Sequence, residues 1–256
     1  MKSKKHWLLA GVAGLVVGSL LTIRPAVAED KIPSEDKPVP TGTLPDVKSE
    51  GAKDAKDLVP LNVELPKPLF SGTPKAPPKD TTVDLKTLGK RRGQFLVPKG
   101  IELISTKKPV KMSDENPIIG DSSVINDGSK EGTDGNWVEL APGLQWVQID
   151  LKTSSEVWAV ALWHYHAEAR VYRDVVVQVS DDPDFISGVK TIFNNDQDNS
   201  AGLGIGKDRE YFESDEGKLV DGAGVKGRYV RCYSKGNTSD AQNHYIEVEV
   251  WGKAGK

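Results

Sequence analysis

Between Phe95 and Lys253 no window of this sequence places apolar residues at the 3.6-residue spacing of a capped helix. Short runs instead alternate apolar and polar residues between clusters of Gly, Asn and Asp. Alternation from one face to the other is the mark of a half-buried strand, and turn residues at its ends mark where it stops. The pattern predicts strands near Glu102–Ser105, Trp146–Leu151, Val157–Trp163, Asp174–Ser180, Thr191–Phe193, Gly227–Tyr233 and Tyr245–Trp251. Residues 95–253 therefore read as one all-β domain, long enough for a core of its own. Short strands with glycine-rich turns point to a sandwich or jelly roll rather than a parallel α/β sheet. No internal repeat suggests a solenoid or propeller.

Upstream the character is different. From Glu29 to Asp80 there are ten prolines, many Lys and Asp, and a single aromatic, Phe70. Such a stretch buries too little apolar surface to offset its ordering entropy, so residues 29–94 are expected to be an extended, disordered tether. Before it, Lys2, Lys4 and Lys5 precede an uncharged apolar run from Trp7 to Ile23 and then Ala26-Val27-Ala28. That is the layout of a cleaved secretory signal over residues 1–28, and it places the expected protein in the periplasm, at the cell surface or outside a bacterial cell. With no cysteine near the cleavage region a lipoprotein anchor is excluded, and once the signal is removed no membrane span is expected. Removal of three lysines and one arginine shifts the formal charge from −3 to −7, a poor balance for nucleic acid as a partner.

The residues offer little for catalysis. Gly-x-Ser-x-Gly and His-Glu-x-x-His are absent. Cys232 lies in an alternating run and reads as a small buried apolar residue. Asp181, Asp182 and Asp184 read as solvated turn acids. Asp196-Gln197-Asp198-Asn199-Ser200 resembles the start of a calcium-binding EF-hand loop, but Ala201 and Lys207 stand where that loop needs Gly and Glu, so an ordered polar loop is expected. The run from Gly202 to Lys207 fails the phosphate-loop pattern at Ala201 and Asp208. His164 and His166, two apart on a strand, share a face compatible with transition-metal ligation, although no third ligand is evident.

Several stretches, in order, resemble the discoidin family, also called the coagulation factor 5/8 type C domain. Ser105-Thr106-Lys107-Lys108-Pro109-Val110 resembles its opening Gly-Lys-Pro-Val strand. Ile125-Asn126-Asp127-Gly128, with Thr133 and Trp137, resembles its Asp-Gly…Thr-x-Trp loop. Trp146-Val147-Gln148-Ile149-Asp150-Leu151, Val175 to Asp181, Arg228-Tyr229-Val230-Arg231 and Glu247 to Gly252 are similar to later strands. The resemblance implies a galactose-binding-like jelly-roll β-sandwich. The family's terminal cysteines are missing here, the Asp127–Trp137 loop is longer, and Asn194–Asp208 is a polar insert.

Many carbohydrate-binding members of that family hold calcium beside the last strand. The resemblance thus implies a structural calcium ion with Asp127, Thr133 and Glu247 as ligands; the plainer reading has Asp127 capping the Gly128 turn and Glu247 as a solvated strand residue. Sugar-binding members use a histidine, an arginine, an asparagine and an aromatic ring from loops at one end. Carried onto this chain, that implies ligand contacts from His164, His166, Arg170, Asn237, Asn243 and His244. The alternative there is a structural cluster, with Tyr165 and one histidine in the core and Arg170 paired to Glu168 or Asp174. The expected function is a non-catalytic exported module that binds carbohydrate or a cell-surface polymer. The rival is a protein-interaction or envelope-assembly module, with an envelope protein on the same loops.

Overall fold

The computed structural model describes residues 47–48, 57–69, 78, 80–133 and 135–256. The expected signal segment, and most of residues 29–56, lie outside these. The described chain is all-β. Eight strands form one continuous hydrogen-bonded network and three more form a small sheet.

Two long strands organise the network: β7, Gln145–His164, and β10, Lys218–Ser234. They pair antiparallel along both lengths, with the register broken between Gly227 and Tyr229, opposite Ser155 and Asp150. The break is a corner. Lys152 turns there with φ 75°, and the Asp150 carboxylate accepts from Lys152 N at 2.8 Å and from Arg228 Nε and Nη2 at 2.7 and 2.9 Å. Arg228 holds that carboxyl well below the usual carboxylate range.

Each long strand gives one half to each layer, the way strands make corners in packed sheets. In the first layer, residues 145–151 and 229–234 pair with β5, Val110–Met112, and with β8, Val176–Ser180, which in turn pairs with β9, Lys190–Asn194. In the second, residues 156–164 lie beside β11, Asn243–Lys253, whose far edge carries β4, Glu102–Leu103, and β6, Val138–Leu140. The main core fills the space between: Val147, Ile149, Val177, Val179 and Val230 from one side meet Val160, Leu162, Val248 and Val250 from the other.

The expected strands Trp146–Leu151 and Val157–Trp163 are thus two halves of β7. The strand over residues 218–226, which holds Gly222 and Gly224, was not anticipated. In the fold these glycines mark close approach: a Cβ on Gly222 would lie 2.5 Å from the Val157 carbonyl oxygen, and one on Gly224 2.8 Å from the Trp158 ring.

The unbroken apolar run from Val157 to Trp163 has a simple cause. Val160 and Leu162 face the main core, while Ala159, Ala161 and Trp163 face outward and are covered as well. Their cover is a third layer built on β3, Phe95–Pro98, with β2, Leu58–Pro60, antiparallel on one side and β1, Val47–Lys48, parallel on the other. Val63, Phe95 and Val97 are buried there with Trp158, Trp163 and Ile246.

This corrects the expectation of an extended tether for the described part of residues 29–94. Leu61 and Val63 alternate like a strand inside a proline-rich composition, and Val83 is buried. The segment is also tied by charge. Thr82 N donates to Glu210 at 2.7 Å, Arg92 N to Glu216 at 2.9 Å, and Arg91 pairs with Asp215 at 2.6 Å. Pro60 is accommodated because β2 is an edge strand.

A chain beginning at Phe95 loses this cover, including Val63 and Val83, whose full burial contributes roughly 1.5–3 kcal/mol each. Compared with a chain beginning at Asp57, it should melt roughly 6–24 °C lower and bind a hydrophobic dye at the Trp158–Trp163 face. Equal melting temperatures would show that the strap is not part of the folded unit.

Candidate functional site

The site lies at the end of the sandwich where β7 finishes at His164 and β11 begins at Asn243. Loops 165–175 and 235–242 meet there over β6. Tyr165 is its half-buried ring. The Arg170 guanidinium sits 4.7 Å from the ring centre, and Trp137 meets Tyr165 edge-on at 5.1 Å. Arg170 is held by two acids, donating from Nη1 to Asp240 at 2.9 Å and from Nη2 to Glu168 at 2.9 Å. A depression of about 460 Å³ lined by Gly143 and the loop 235–241 adjoins it through Asp240.

His244 and Glu139 form the floor. Their closest approach is 3.5 Å, and the other His244 nitrogen, Nδ1, meets the Tyr172 hydroxyl at 2.9 Å. Burial holds His244 down to about 4, against the pull of Asp240 and Glu168 toward a charged imidazole and with Arg170 and His164 adding to the fall. Burial likewise raises Glu139, helped by Asp240 and opposed by Arg170. Burial thus moves each group in the direction of its neutral form beneath the aromatic wall.

Of the residues expected to contact ligand, Arg170 and His244 are brought together here. The others are spent on the fold. Asn243 is fully buried: its Oδ1 accepts from Ser234 Oγ and Gly236 N, and its Nδ2 donates to the carbonyls of Ala141 and Gly143. Asn237 closes its own loop, donating to Asp240 and to the Gln242 carbonyl. His164 is buried with Nδ1 2.7 Å from Glu213 Oε1 and its ring stacked on Tyr172 at 4.2 Å. His166 is buried 2.8 Å from the Lys130 carbonyl oxygen. The two rings thus turn to different partners, which removes the shared-face reading. Both polar ends of Asn243 match the groups a loop must satisfy when it is buried, and this is why asparagine serves there.

Tyr165, Trp137, Glu139 and Asp240 complete the site and were not among the expected contacts. Tyr165 alternates with His164 and His166, a signal that could have placed it facing outward. Nothing in the sequence marks Asp240.

The residues expected to hold calcium lie on β11 and in the 127–133 loop. Glu247 is buried, accepts from Gly128 N at 3.2 Å, and is pushed up to about 8, first by burial, with Glu249 and Asp127 adding to it. Asp127 lies within electrostatic reach but is exposed, and its Oδ1 accepts from Ser129 N at 2.7 Å. Thr133 is exposed and its Oγ1 accepts from Asn136 within the loop. Calcium takes about six to eight oxygens from ionised or carbonyl donors. Among the described residues this set falls short of that, and the cation beside it is Lys130.

Three carboxylates do converge elsewhere: single oxygens of Asp174, Asp196 and Asp198 lie within 4.8 Å of one another. They are engaged within the ordered polar loop. Asp196 accepts from Ser200 N and Ala201 N, and Lys235 stands 3.8 Å from Asp174. Cys232 is buried, which pushes its thiol up to about 12 and leaves no thiolate for nucleophilic work. No helix among the described residues is long and apolar enough to cross a membrane.

No family model and no curated protein matches the chain. Among solved structures it is similar to a Streptococcus pneumoniae fucose binding module, with 22% identity, TM-score 0.42, 61% of this chain and 99% of that one covered. It is similar to the chitosan-binding module 1 of a Paenibacillus chitosanase/glucanase at 20% identity and TM-score 0.38, with 59% and 99% covered. A third is CpGH89CBM32-4 of Clostridium perfringens, solved with GlcNAc-α-1,4-galactose, at 16% identity and TM-score 0.43, with 61% and 97% covered.

His244 gives the site a pH signature. Its folded pKa lies below the unfolded value of about 6.5, so the unfolded chain binds the extra proton. The stability it contributes is therefore present above about 6.5 and lost as pH falls toward 4. Melting curves of wild type and His244→Gln should converge as pH falls through that window. Parallel curves would show that His244 is not the titrating group.

Proposed function

We propose that this protein is a non-catalytic carbohydrate-binding module that grips a glycan, free or as part of a cell-surface polymer, at the Tyr165–Arg170 end of the sandwich. The observation that carries the reading is the stack of Arg170 on Tyr165, bordered by Trp137, Asp240, Glu168, Glu139 and His244. Sugar hydroxyls need directed donors and acceptors, and the C–H face of a pyranose needs an aromatic ring. This constellation offers both on loops held by a rigid scaffold, the usual division of labour for recognition. Its ordered resemblance to the discoidin family supports the same reading. The N-terminal segment, with its signal-like layout, supports export to where such polymers are found.

The test is a glycan array on the folded protein followed by calorimetry with the best hit. Tyr165→Ala should weaken binding at least tenfold, about 1.4 kcal/mol, with the melting temperature little changed because Tyr165 is outside the main core. A wild type that binds no glycan overturns the reading. If it then retains a defined envelope protein that monosaccharide does not displace, the interaction-module alternative takes its place.

A further inference from the structure

The loop that leaves the 3-10 helix Ser122–Asn126 lies against β11, where two acids, Glu247 and Glu249, are each only 2% exposed. Buried carboxylates on one strand, two residues apart on the same face, need a counter-charge. We propose that Lys130 is that charge: a cation built into the chain, which fastens the 127–133 loop to β11 in place of a divalent metal ion.

The geometry is that of a seated ion pair. Lys130 is 9% exposed, and its Nζ lies 2.7 Å from Glu249 Oε1. The ammonium also stands 5.4 Å from the Trp163 ring centre, so it is enclosed by an aromatic face and a carboxylate at once. Glu249 is completed by Trp251 Nε1, which donates to its Oε2 at 3.1 Å. The Lys130 carbonyl takes the His166 bond, so the residue ties the loop to the segment beyond β7 through its backbone and to β11 through its side chain.

The loop's fit leaves little slack. Gly132 is buried, and a Cβ there would lie 3.3 Å from Ile246 Cδ1 and 3.4 Å from Leu69 Cδ1. Arg92 also feels Glu249, but its Nη1 donates to the Glu216 carbonyl at 2.6 Å and its backbone N to the Glu216 side chain. That leaves Lys130 as the direct partner. Lys130 is a positioning residue, since the loop it fastens leads to Trp137 at the candidate site. The inference needs no assumption about which ligand that site takes.

The test is a thermal melt of the full folded chain with EDTA and with millimolar calcium. Wild type should melt at the same temperature in both. Lys130→Met keeps the apolar stem but leaves Glu249 without its cation, so its melting temperature should fall by roughly 10 °C. Calcium should then raise it, because Glu249 and Glu247 are left beside a vacated cation position, with Asp127 within electrostatic reach of Glu247. Lys130→Arg should restore indifference to calcium. If Lys130→Met does not fold, Lys130→Met with Glu249→Gln, which removes both charges, should fold and be indifferent to calcium. A wild-type melting temperature that rises with calcium, a Lys130→Met protein as stable as wild type, or one destabilised yet blind to calcium each overturns the assignment.

Discussion

The pairing of β7 with β10 is the constraint on which the rest of this structure depends. Both strands turn a corner at the same place, and the Asp150–Arg228 pair with the positive φ at Lys152 fixes where. One pair of strands thereby enters both layers, and the other strands of the network are added outward from it. The core is what lies between the two halves, so a slip of one residue in this ladder would send Val160 and Leu162 outward and Ala161 and Trp163 inward. Trp163 has a further anchor: its Nε1 donates to the Asp215 carbonyl at 3.0 Å, tying β7 to the segment just before β10.

The same alternation explains why a proline-rich segment is ordered where composition argues for a tether. β7 cannot present Val160 and Leu162 to the main core without presenting Ala159, Ala161 and Trp163 to the opposite side. Those residues would be an exposed apolar face unless something covers them. Leu61, Val63, Phe95 and Val97 do so. β11 obeys the same geometry, with Val248 and Val250 facing inward and Glu247 and Glu249 on the covered outer side, and that is what makes Lys130 necessary in the interior.

At the loop end, the polar residues divide by how completely the chain satisfies them. Asn243 has its hydrogen-bonding groups committed to Ser234 and to the backbone of neighbouring loops, Asn237 has its own committed within its loop, and both fix loop shape. Arg170 and Asp240 pair with each other at the rim, and Glu168 remains 58% exposed at its side chain. The groups left facing solvent beside an aromatic ring are the ones that can meet a ligand. Histidine content alone was misleading because the imidazoles of His164 and His166 also serve as buried spacers, each with one nitrogen bonded to the chain.

By itself the sequence determined the class of fold. Period-two alternation and turn residues are local properties, and they marked β8, β9, β11 and both halves of β7 before any tertiary contact was known. Through the resemblance it also named Arg170 and His244, which the fold brings to one end of the sandwich. What only the tertiary structure decided was partnership: that β7 is one strand, that Gly222 and Gly224 stand against Val157 and Trp158, that Val63 has a face to cover, and that Lys130 reaches Glu249 rather than solvent. The reason is physical. Whether a polar or charged side chain is spent or free depends on groups brought beside it from as far as a hundred residues away or more, as Glu249 is for Lys130, and those distances exist only once the strands have paired.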